Sequence, residues 1–498
     1  MRTSITHPLQ IATVAAGRGV GQNEWGRVGL TFCPGKHQPH AATGAWARDL
    51  GLDLDAVAEW GAGAVVTLVE DHELRVLGVE HMGAAVLDRH MAWYHLPIPD
   101  VTAPDARFEA RWERHGPALR GMLRAGFDVL VHCKGGLGRA GTIAARLLAE
   151  LGWERGAAIA EVRMVRPGAL ETSAQERHVR AVREVEEAWP DTSLEAMRSR
   201  AQGAFLGLAI GDAVGTTLEF TRRDAQPRLT GMDGGGPFRL KPGEWTDDTA
   251  MAMALAVSLE TSDGLDEADL MRKFVEWRDE GAYSCTGTCF DIGITTSAAL
   301  SRFQRSGDPL AGSTDPRSAG NGSLMRLAPV AVASFRDRER MRDWAARQSR
   351  TTHAAPEAVD ACIAFAELLA DAINGRPRAE ALRRRCEAYA GKIAPIMAGS
   401  WRGKRRGEIH ASGYVAHSLE AALWCVARTG SFAEAVLLAA NLGDDADTTA
   451  AITGQLAGAL YGVGGIPAEW REMVALGRQI EAIAGRLFDA GLEVGGLA

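Results

Sequence analysis

The stretch VLVHCKGGLGRAGT, Val129 to Thr142, decides how the first half of the chain is read. Apolar β-formers lead into His132 and Cys133. A loop of Lys134, Gly135, Gly136, Leu137 and Gly138 follows, and Arg139 opens a helical pattern. Glycines let successive backbone N–H groups turn inward as a nest, and the start of the next helix adds partial positive charge. Such a cup fits a phosphate dianion. The same field favours the thiolate of Cys133, which is the nucleophilic form. Arg139 can hold two phosphate oxygens at once, which lysine does less well. The loop is no Walker A sequence, because Lys and Ser/Thr do not follow its last glycine. A buried structural cysteine beside a tight turn is the plain alternative. His before Cys133, glycines after it and Arg at the sixth position favour chemistry.

Outward from this loop the grammar is α/β. GAVVTLVE (Gly63–Glu70) and DVLVHC (Asp128–Cys133) read as buried strands, and ARFEARWERHGPALRGMLRAG and TIAARLLAELG as amphipathic helices. The charged run RHVRAVREVEEAWPD predicts a helix ending near Trp189–Pro190, after which Asp191, Thr192 or Ser193 can cap the next. The expected domains are therefore 1–190 and 191–498. In the second, AMAMALAVSLE, PEAVDACIAFAELLADAI, AHSLEAALWCVA and TTAAITGQLAGALYG have helical period and many small residues, so their helices can pack closely. Convincing strands are nearly absent there, so an all-α domain is expected.

Two acidic clusters stand out in this half. EWTDDTAM holds Thr246, Asp247 and Asp248; NLGDDADTTAA holds Asp444, Asp445, Asp447 and Thr448. Each precedes an Ala-rich helix. Helix capping accounts for one Asp per start. It does not account for two or three, which repel unless cations lie between them. Carboxylate and hydroxyl oxygens suit hard cations such as Mg2+, Mn2+ or Ca2+, and two clusters brought together would make a two-metal site.

Both halves resemble known families. HCKGGLGRAGT carries the Cys-x5-Arg signature of tyrosine and dual-specificity phosphatases, and with GRVGLTFCPGKH, VVTLVEDHEL, HLPIPDVTAPD and VRPGALETSAQE the first half is similar to the kinase-associated phosphatase branch. The resemblance implies Cys133 as nucleophile, Arg139 and loop amides as oxygen holders, and Asp100 as general acid, with Asp105 as the other candidate. It also implies that Thr142 assists departure from Cys133 and that Gln175 positions the hydrolytic water. Glu70 and Asp71 follow a strand and read equally as rim or surface acids.

From about residue 195 to 470, GAFLGLAIGDAVGTTLEF, WTDDTAMAMALA, GNGSLMRLAPVA, TTHAAPEAV, SGYVAHSLEAALW and NLGDDADTTAAITGQLAGALYG resemble the ADP-ribosylglycohydrolase family. That resemblance implies an all-α fold and a pair of Mg2+ ions, with Mn2+ as an alternative. The ligands would be Thr246, Asp247, Asp248, Asp445, Asp447 and Thr448, with Asp447 as the bridge. Asp444 stands where many relatives have Gly and is set aside as a non-ligand. Glu219 would sit over the metals. Gly320, Asn321, Gly322 and Ser323 would take the diphosphate, His353 would lie near the ligand and Tyr414 would stack on adenine, while Met325 reads as packing.

The chain has 498 residues with a net charge of -8, from 63 acidic and 55 basic residues, so no nucleic-acid surface is indicated. Seven cysteines lie without zinc spacing, and Cys285 and Cys289 read as ordinary thiols. No signal peptide or membrane-length apolar run is read, so a reducing, cytoplasmic location is expected. The reading is a bifunctional hydrolase acting on an ADP-ribosylated protein or small molecule and on a phosphorylated substrate. One alternative makes one domain a reader of ADP-ribose or phosphoprotein; another has the helical domain act on a small-molecule ADP-ribosyl derivative; a third makes the chain a scaffold.

Overall fold

The computed structural model describes residues 1–17, 24–41, 44–262 and 264–493. They form two compact units, residues 1–187 with 427–430 and residues 188–426 with 431–498.

The first unit carries seven strands: β1 Ala12–Ala15, β2 Arg27–Phe32, β3 His37–Gln38, β4 Trp46–Ala47, β5 Ala62–Thr67, β6 Ala92–His95 and β7 Asp128–Cys133. β3 and β4 make a small antiparallel ribbon; the others form one sheet in the order β1-β2-β7-β5-β6. Only the β1–β2 pairing in that sheet is antiparallel. Every residue of β5 and β7 is buried, as their unbroken apolar runs require for parallel strands covered on both faces. β7 lies between β2 and β5, so Cys133 emerges at the middle of the sheet's C-terminal edge, where α/β folds place their sites.

One expected element differs. The helix predicted to run to Trp189 spans only Ser173–Ala181. Val182 turns extended, Val185 N–H donates to Glu150 O at 2.9 Å, and Arg124 Nη2 donates to Val185 O at 2.9 Å. Tertiary hydrogen bonds override a charged, helix-compatible run.

The second unit is helical; among its described residues the β-structure is confined to isolated bridges. Its centre is the helix Leu194–Gly215 lying along Ala446–Tyr461. Gly203, Gly207, Gly211 and Gly215 recur every fourth residue and face the partner helix. A Cβ on Gly207 would stand 2.3 Å from Gly454 O, and one on Gly211 2.1 Å from Ala450 O. The two backbones therefore touch without intervening side chains. Gly211→Ala should push them apart and cost about 1–3 kcal/mol of stability, the usual effect of overpacking. A thermal unfolding curve that matched wild type would refute the contact.

Candidate active sites

The first site is built at the end of β7. Gly136 has φ +71, and a Cβ there would meet Phe32 N at 2.5 Å, so only glycine lets the loop fold back over β2. The Gly136 N–H then points at Cys133 Sγ, 3.2 Å away. The loop is braced from outside: Arg166 donates to the carbonyls of Gly136 (3.1 Å) and Gly135 (3.3 Å), and Lys36 Nζ to Lys134 O (3.3 Å). Leu137 closes the loop as the residue before the helix Gly138–Glu150. Gly138 lies under Glu171, whose carboxylate would be 2.2 Å from a Cβ there. His132 is wholly buried with Nε2 2.8 Å from Thr67 Oγ1; burial drives its pKa down to about 3, so it is a neutral strut.

Arg139 is 2% exposed and already heavily bonded. Nη1 donates to Glu73 Oε2 (2.6 Å) and Ile98 O (3.0 Å), and Nη2 lies 3.2 Å from Glu73 Oε1 and 3.0 Å from Asp100 Oδ1. Burial alone would raise the Glu73 carboxyl, but its hydrogen bond to Arg139 prevails and holds it below the ordinary value. Glu73 was not singled out from the sequence. Its signal was the spacing Glu70-x-x-Glu73 at a helix start, a capping box whose second acid faces inward, whereas Glu70 and Asp71 drew notice instead.

Asp100 sits half exposed on a loop at the same edge, joined to Arg139. Asp105 is used as a helix cap, accepting from Arg107 N–H and Phe108 N–H. Gln175 is fully buried, donates to Thr102 O at 3.0 Å and lies beside Gly138, so it ties the Asp100 loop to the phosphate loop. Thr142 departs from expectation. Its hydroxyl donates back to Gly138 O at 2.8 Å, the usual bond of a buried helical threonine, and so is not directed at Cys133.

The second site forms where two helices begin. Thr246 caps Asp247–Thr261, placing Asp247 and Asp248 in its first turn; Asp445 precedes Ala446–Tyr461, placing Asp447 and Thr448 in the other. Thr246 Oγ1 lies 3.2 Å from Asp447 Oδ2, and Thr448 Oγ1 3.3 Å from Asp248 Oδ2. Residues two hundred apart in sequence thus share one cluster. Glu219 joins it: Oε2 accepts Ala446 N–H (2.7 Å) and Asp447 N–H (3.3 Å), and ligand oxygens of Glu219, Asp445 and Asp447 come within 4.8 Å of one another. Asp212, in the glycine-striped helix, accepts from the backbone and hydroxyls of Thr246 and Thr249 and so fixes the cluster from behind. Asp291 completes the ring. Sequence reasoning missed both acids, because each is solitary in its own segment.

Burial and mutual repulsion raise these carboxyls: Asp212 and Asp445 to about 7, Asp291 to about 9, Glu219 to about 12, and Asp247 and Asp248 well above the ordinary value. Asp248 Oδ1 is buried with no hydrogen-bond partner. Crowded carboxylates, threonine hydroxyls and an orphaned buried oxygen fit a hard divalent cation, and the acidic residues can hold one.

Above the cluster lies a cavity of about 880 Å³ lined by Glu219, Asp247, Asp291, Gly320, Asn321, Gly322, Met325, His353, Asp445, Asp447 and Thr448 among others. Asn321 Nδ2 bonds both Ser418 Oγ and Asp445 Oδ2, linking the glycine turn to the acids. His353 packs under the turn, 2.7 Å from where a Gly322 Cβ would be, and burial lowers its pKa to about 3. Met325 lines the wall as well as packing. The Ser323 hydroxyl faces the core, 2.8 Å from Ser349 Oγ, and its backbone stays on the turn. Tyr414 is not among the cavity's lining residues; its hydroxyl donates to Glu357 Oε2 at 2.6 Å and its ring packs edge-on to His417.

Residues 193–495 match the sequence model described as ADP-ribosylglycohydrolase. The chain belongs to that family. Residues 47–179 match a second model, described as Swiss Army Knife protein, DSP-PTPase phosphatase domain. ADP-ribosylarginine hydrolase Tri1 of Pseudomonas putida (strain GB-1) is 48% identical over 302 residues, covering 60% of this chain and 81% of that protein. The ADP-ribosyl-(dinitrogen reductase) glycohydrolase of Rhodospirillum rubrum is 33% identical over 306 residues, covering 61% of this chain and 98% of that one. A solved structure titled ADP-ribosylglycohydrolase-related protein complex superposes with a TM-score of 0.54 at 39% identity, covering 60% of this chain and all of that one. The chain is a bifunctional hydrolase, with an ADP-ribosylglycohydrolase domain and a dual-specificity-type phosphatase domain. No helix among the described residues is long and apolar enough to cross a membrane.

Two measurements check these geometries. Raised carboxyls make the metal-free fold hold protons that the unfolded chain releases. Their stabilising contribution is complete below pH about 4 and is lost as pH rises through about 7 for Asp212 and Asp445. Melting temperature in chelator should therefore fall from pH 5 to 8, and the gain on adding Mg2+ should widen over the same range. No gain at any pH would mean the cluster takes no cation, and a gain that does not change with pH would mean the cation displaces no protons from it. Glu73→Gln should lower kcat/KM for an aryl phosphate by about ten- to a hundredfold, the worth of a charged hydrogen bond to Arg139. Unaltered turnover would show that Arg139 needs no such brace.

Proposed function

We propose that the C-terminal domain removes ADP-ribose from arginine side chains using a pair of Mg2+ ions, and that the N-terminal domain hydrolyses a phosphate monoester on a phosphorylated substrate. The observation that carries the first part is the convergence of Thr246, Asp247, Asp248, Asp445, Asp447, Thr448 and Glu219 at the floor of a cavity whose wall is a glycine turn. The arginine acceptor comes from the 48% identity to an ADP-ribosylarginine hydrolase. The first six of these residues would hold the ions, with Asp447 between the two helix starts. Bound Mg2+, or Mn2+ in its place, would supply Lewis acidity and an activated water.

The chain's own residues then do the rest. Gly320 and Asn321 spend their N–H groups on Ser318 O and Gly413 O. The N–H groups of Gly322, on the cavity wall, and of Ser323 behind it have no such partner among the described residues, which supports their taking diphosphate oxygens. His353 supports that turn. Glu219 and Asp291 flank the ribose position; one takes the proton of the attacking water and the other returns one to the departing nitrogen as the C1″–N bond breaks.

In the phosphatase domain, Cys133 Sγ attacks phosphorus and the P–O bond to the leaving group breaks. Asp100 donates the proton to that oxygen. Arg139 and the amides of Lys134 to Gly138 hold the three remaining oxygens, and water set by Gln175 hydrolyses the phosphocysteine. The domain boundary is placed at Pro190. A reducing, cytoplasmic location is the reading that suits an odd number of cysteines scattered along the chain.

The test is ADP-ribose release from a panel of ADP-ribosylated acceptors, alongside hydrolysis of p-nitrophenyl phosphate, with and without Mg2+. Asp247→Ala should reduce ADP-ribose release by roughly a hundredfold or more while sparing phosphate release, and Cys133→Ser should do the reverse. Release independent of metal, or absent from arginine yet present from another acceptor, would overturn the corresponding part.

A further inference from the structure

The mouth of the C-terminal cavity carries two residues that the metal and ribose chemistry leaves unused, Phe220 and Asp444, both on the cavity wall. Phe220 is 68% exposed, and its φ is +57. A bulky residue adopts that backbone only where its surroundings enforce it. Here Phe220 N–H donates to Asp444 O at 2.8 Å and Asp444 N–H donates to Thr221 O at 2.8 Å. Asp444 itself has φ +56. The two loops thus clasp each other through their backbones and present both side chains at one edge. The Phe220 ring leans on Phe238, centroids 6.2 Å apart and planes at 73°, and Phe238 leans on Phe290 at 5.2 Å. One aromatic face is therefore propped open toward solvent.

Charge says what this face takes. The Asp444 carboxylate has no hydrogen-bond partner among the described residues. Arg223 feels its charge but gives its own protons to the carbonyls of Leu442, Arg406 and Ile409. The cavity lining holds six acidic residues and neither lysine nor arginine, so no lining cation opposes a guanidinium at this mouth. An aromatic face beside an open carboxylate at an electronegative mouth matches a planar, weakly hydrated cation that stacks and donates several N–H groups.

We propose that Phe220 and Asp444 form the acceptor subsite and bind the guanidinium of ADP-ribosylated arginine, stacked on the ring and hydrogen-bonded to the carboxylate. This rests on the arginine reading above. It assigns the choice of acceptor to residues that neither hold metal nor touch the ribose.

The experiment compares two constants for wild type, Phe220→Ala, Phe220→Leu, Phe220→Tyr, Asp444→Gly and the Phe220→Ala/Asp444→Gly pair. One is KM for an ADP-ribosylarginine peptide; the other is Kd for free ADP-ribose, which has no acceptor. Asp444→Gly suits its positive φ, and Phe220 is exposed, so the fold is kept. The ratio of KM to Kd should rise about two- to fivefold for Phe220→Ala, Phe220→Leu and Asp444→Gly, and about tenfold in the pair. Phe220→Tyr should keep the wild-type ratio. A ratio that does not move, or Phe220→Leu behaving like Phe220→Tyr, overturns the subsite while leaving the activity standing. Wild type that turns over no ADP-ribosylarginine overturns the arginine reading and the subsite with it.

Discussion

The close approach of Leu194–Gly215 to Ala446–Tyr461 is the contact on which the C-terminal chemistry depends. Four glycines in a row along one face bring the two backbones together, and nothing larger fits. One end of this contact carries Asp212, Glu219, Asp445 and Asp447. Asp212 holds Thr246 and Thr249, while Glu219 holds the first N–H groups of the partner helix. A shift of either helix would separate acids whose spacing is a few ångströms. Stability and the geometry of the acidic cluster are therefore one property here, set by residues with no side chain.

Both domains build their sites from helix starts, and they use the same device for opposite charges. After β7, the glycine loop and the helix start turn backbone N–H groups toward Cys133, and Arg139 stands in the first turn of that helix. In the second domain the helix starts are filled with acids, whose crowding is eased by the helix N-terminal fields and by the protons these raised carboxyls hold, and which can also hold a cation. The buried Arg139 is already met by Glu73 and Asp100. Glu73 bonds both Nη atoms of Arg139, so the guanidinium keeps its orientation whether or not the half-exposed Asp100 lies against it.

Legibility in the sequence followed locality. The Cys133 loop, β7 and the helix starts at Thr246 and Asp445 are contiguous stretches with dense, unusual composition, and the structure forms the strand and the helix starts where they were read. The helix Pro356–Ile373 was readable to the residue, since Pro opens it and an apolar stripe fills it. Asp212, Asp291 and Glu73 were not readable, because a single acid within an ordinary helix or loop looks like surface until its neighbours in space are known. The same lack hid the side-chain partners of Tyr414 and Ser323, since Glu357 and Ser349 are distant in sequence. Residues 182–190 failed for a third reason: charge pattern favours a helix, and hydrogen bonds to Glu150 and from Arg124 outweigh it.

Strain marks the working edges of both domains. Val101, Phe220, Asp291 and Asp444 all have positive φ without being glycine. Val101 follows Asp100, Phe220 follows Glu219, Asp444 precedes Asp445, and Asp291 is itself one of the ring of acids. Each such residue costs about 1–3 kcal/mol, which the surrounding fold must offset. The offset is visible at the Phe220–Asp444 clasp, where two backbone hydrogen bonds and the packed helix starts below hold the conformation. Relaxing any of these residues would swing the adjoining carboxylate away from its partners. Positive φ also occurs away from the sites, at His90 and Leu476 for example, so it is the backbone clasp beside Glu219 and Asp445, and not strain by itself, that ties these residues to the acids.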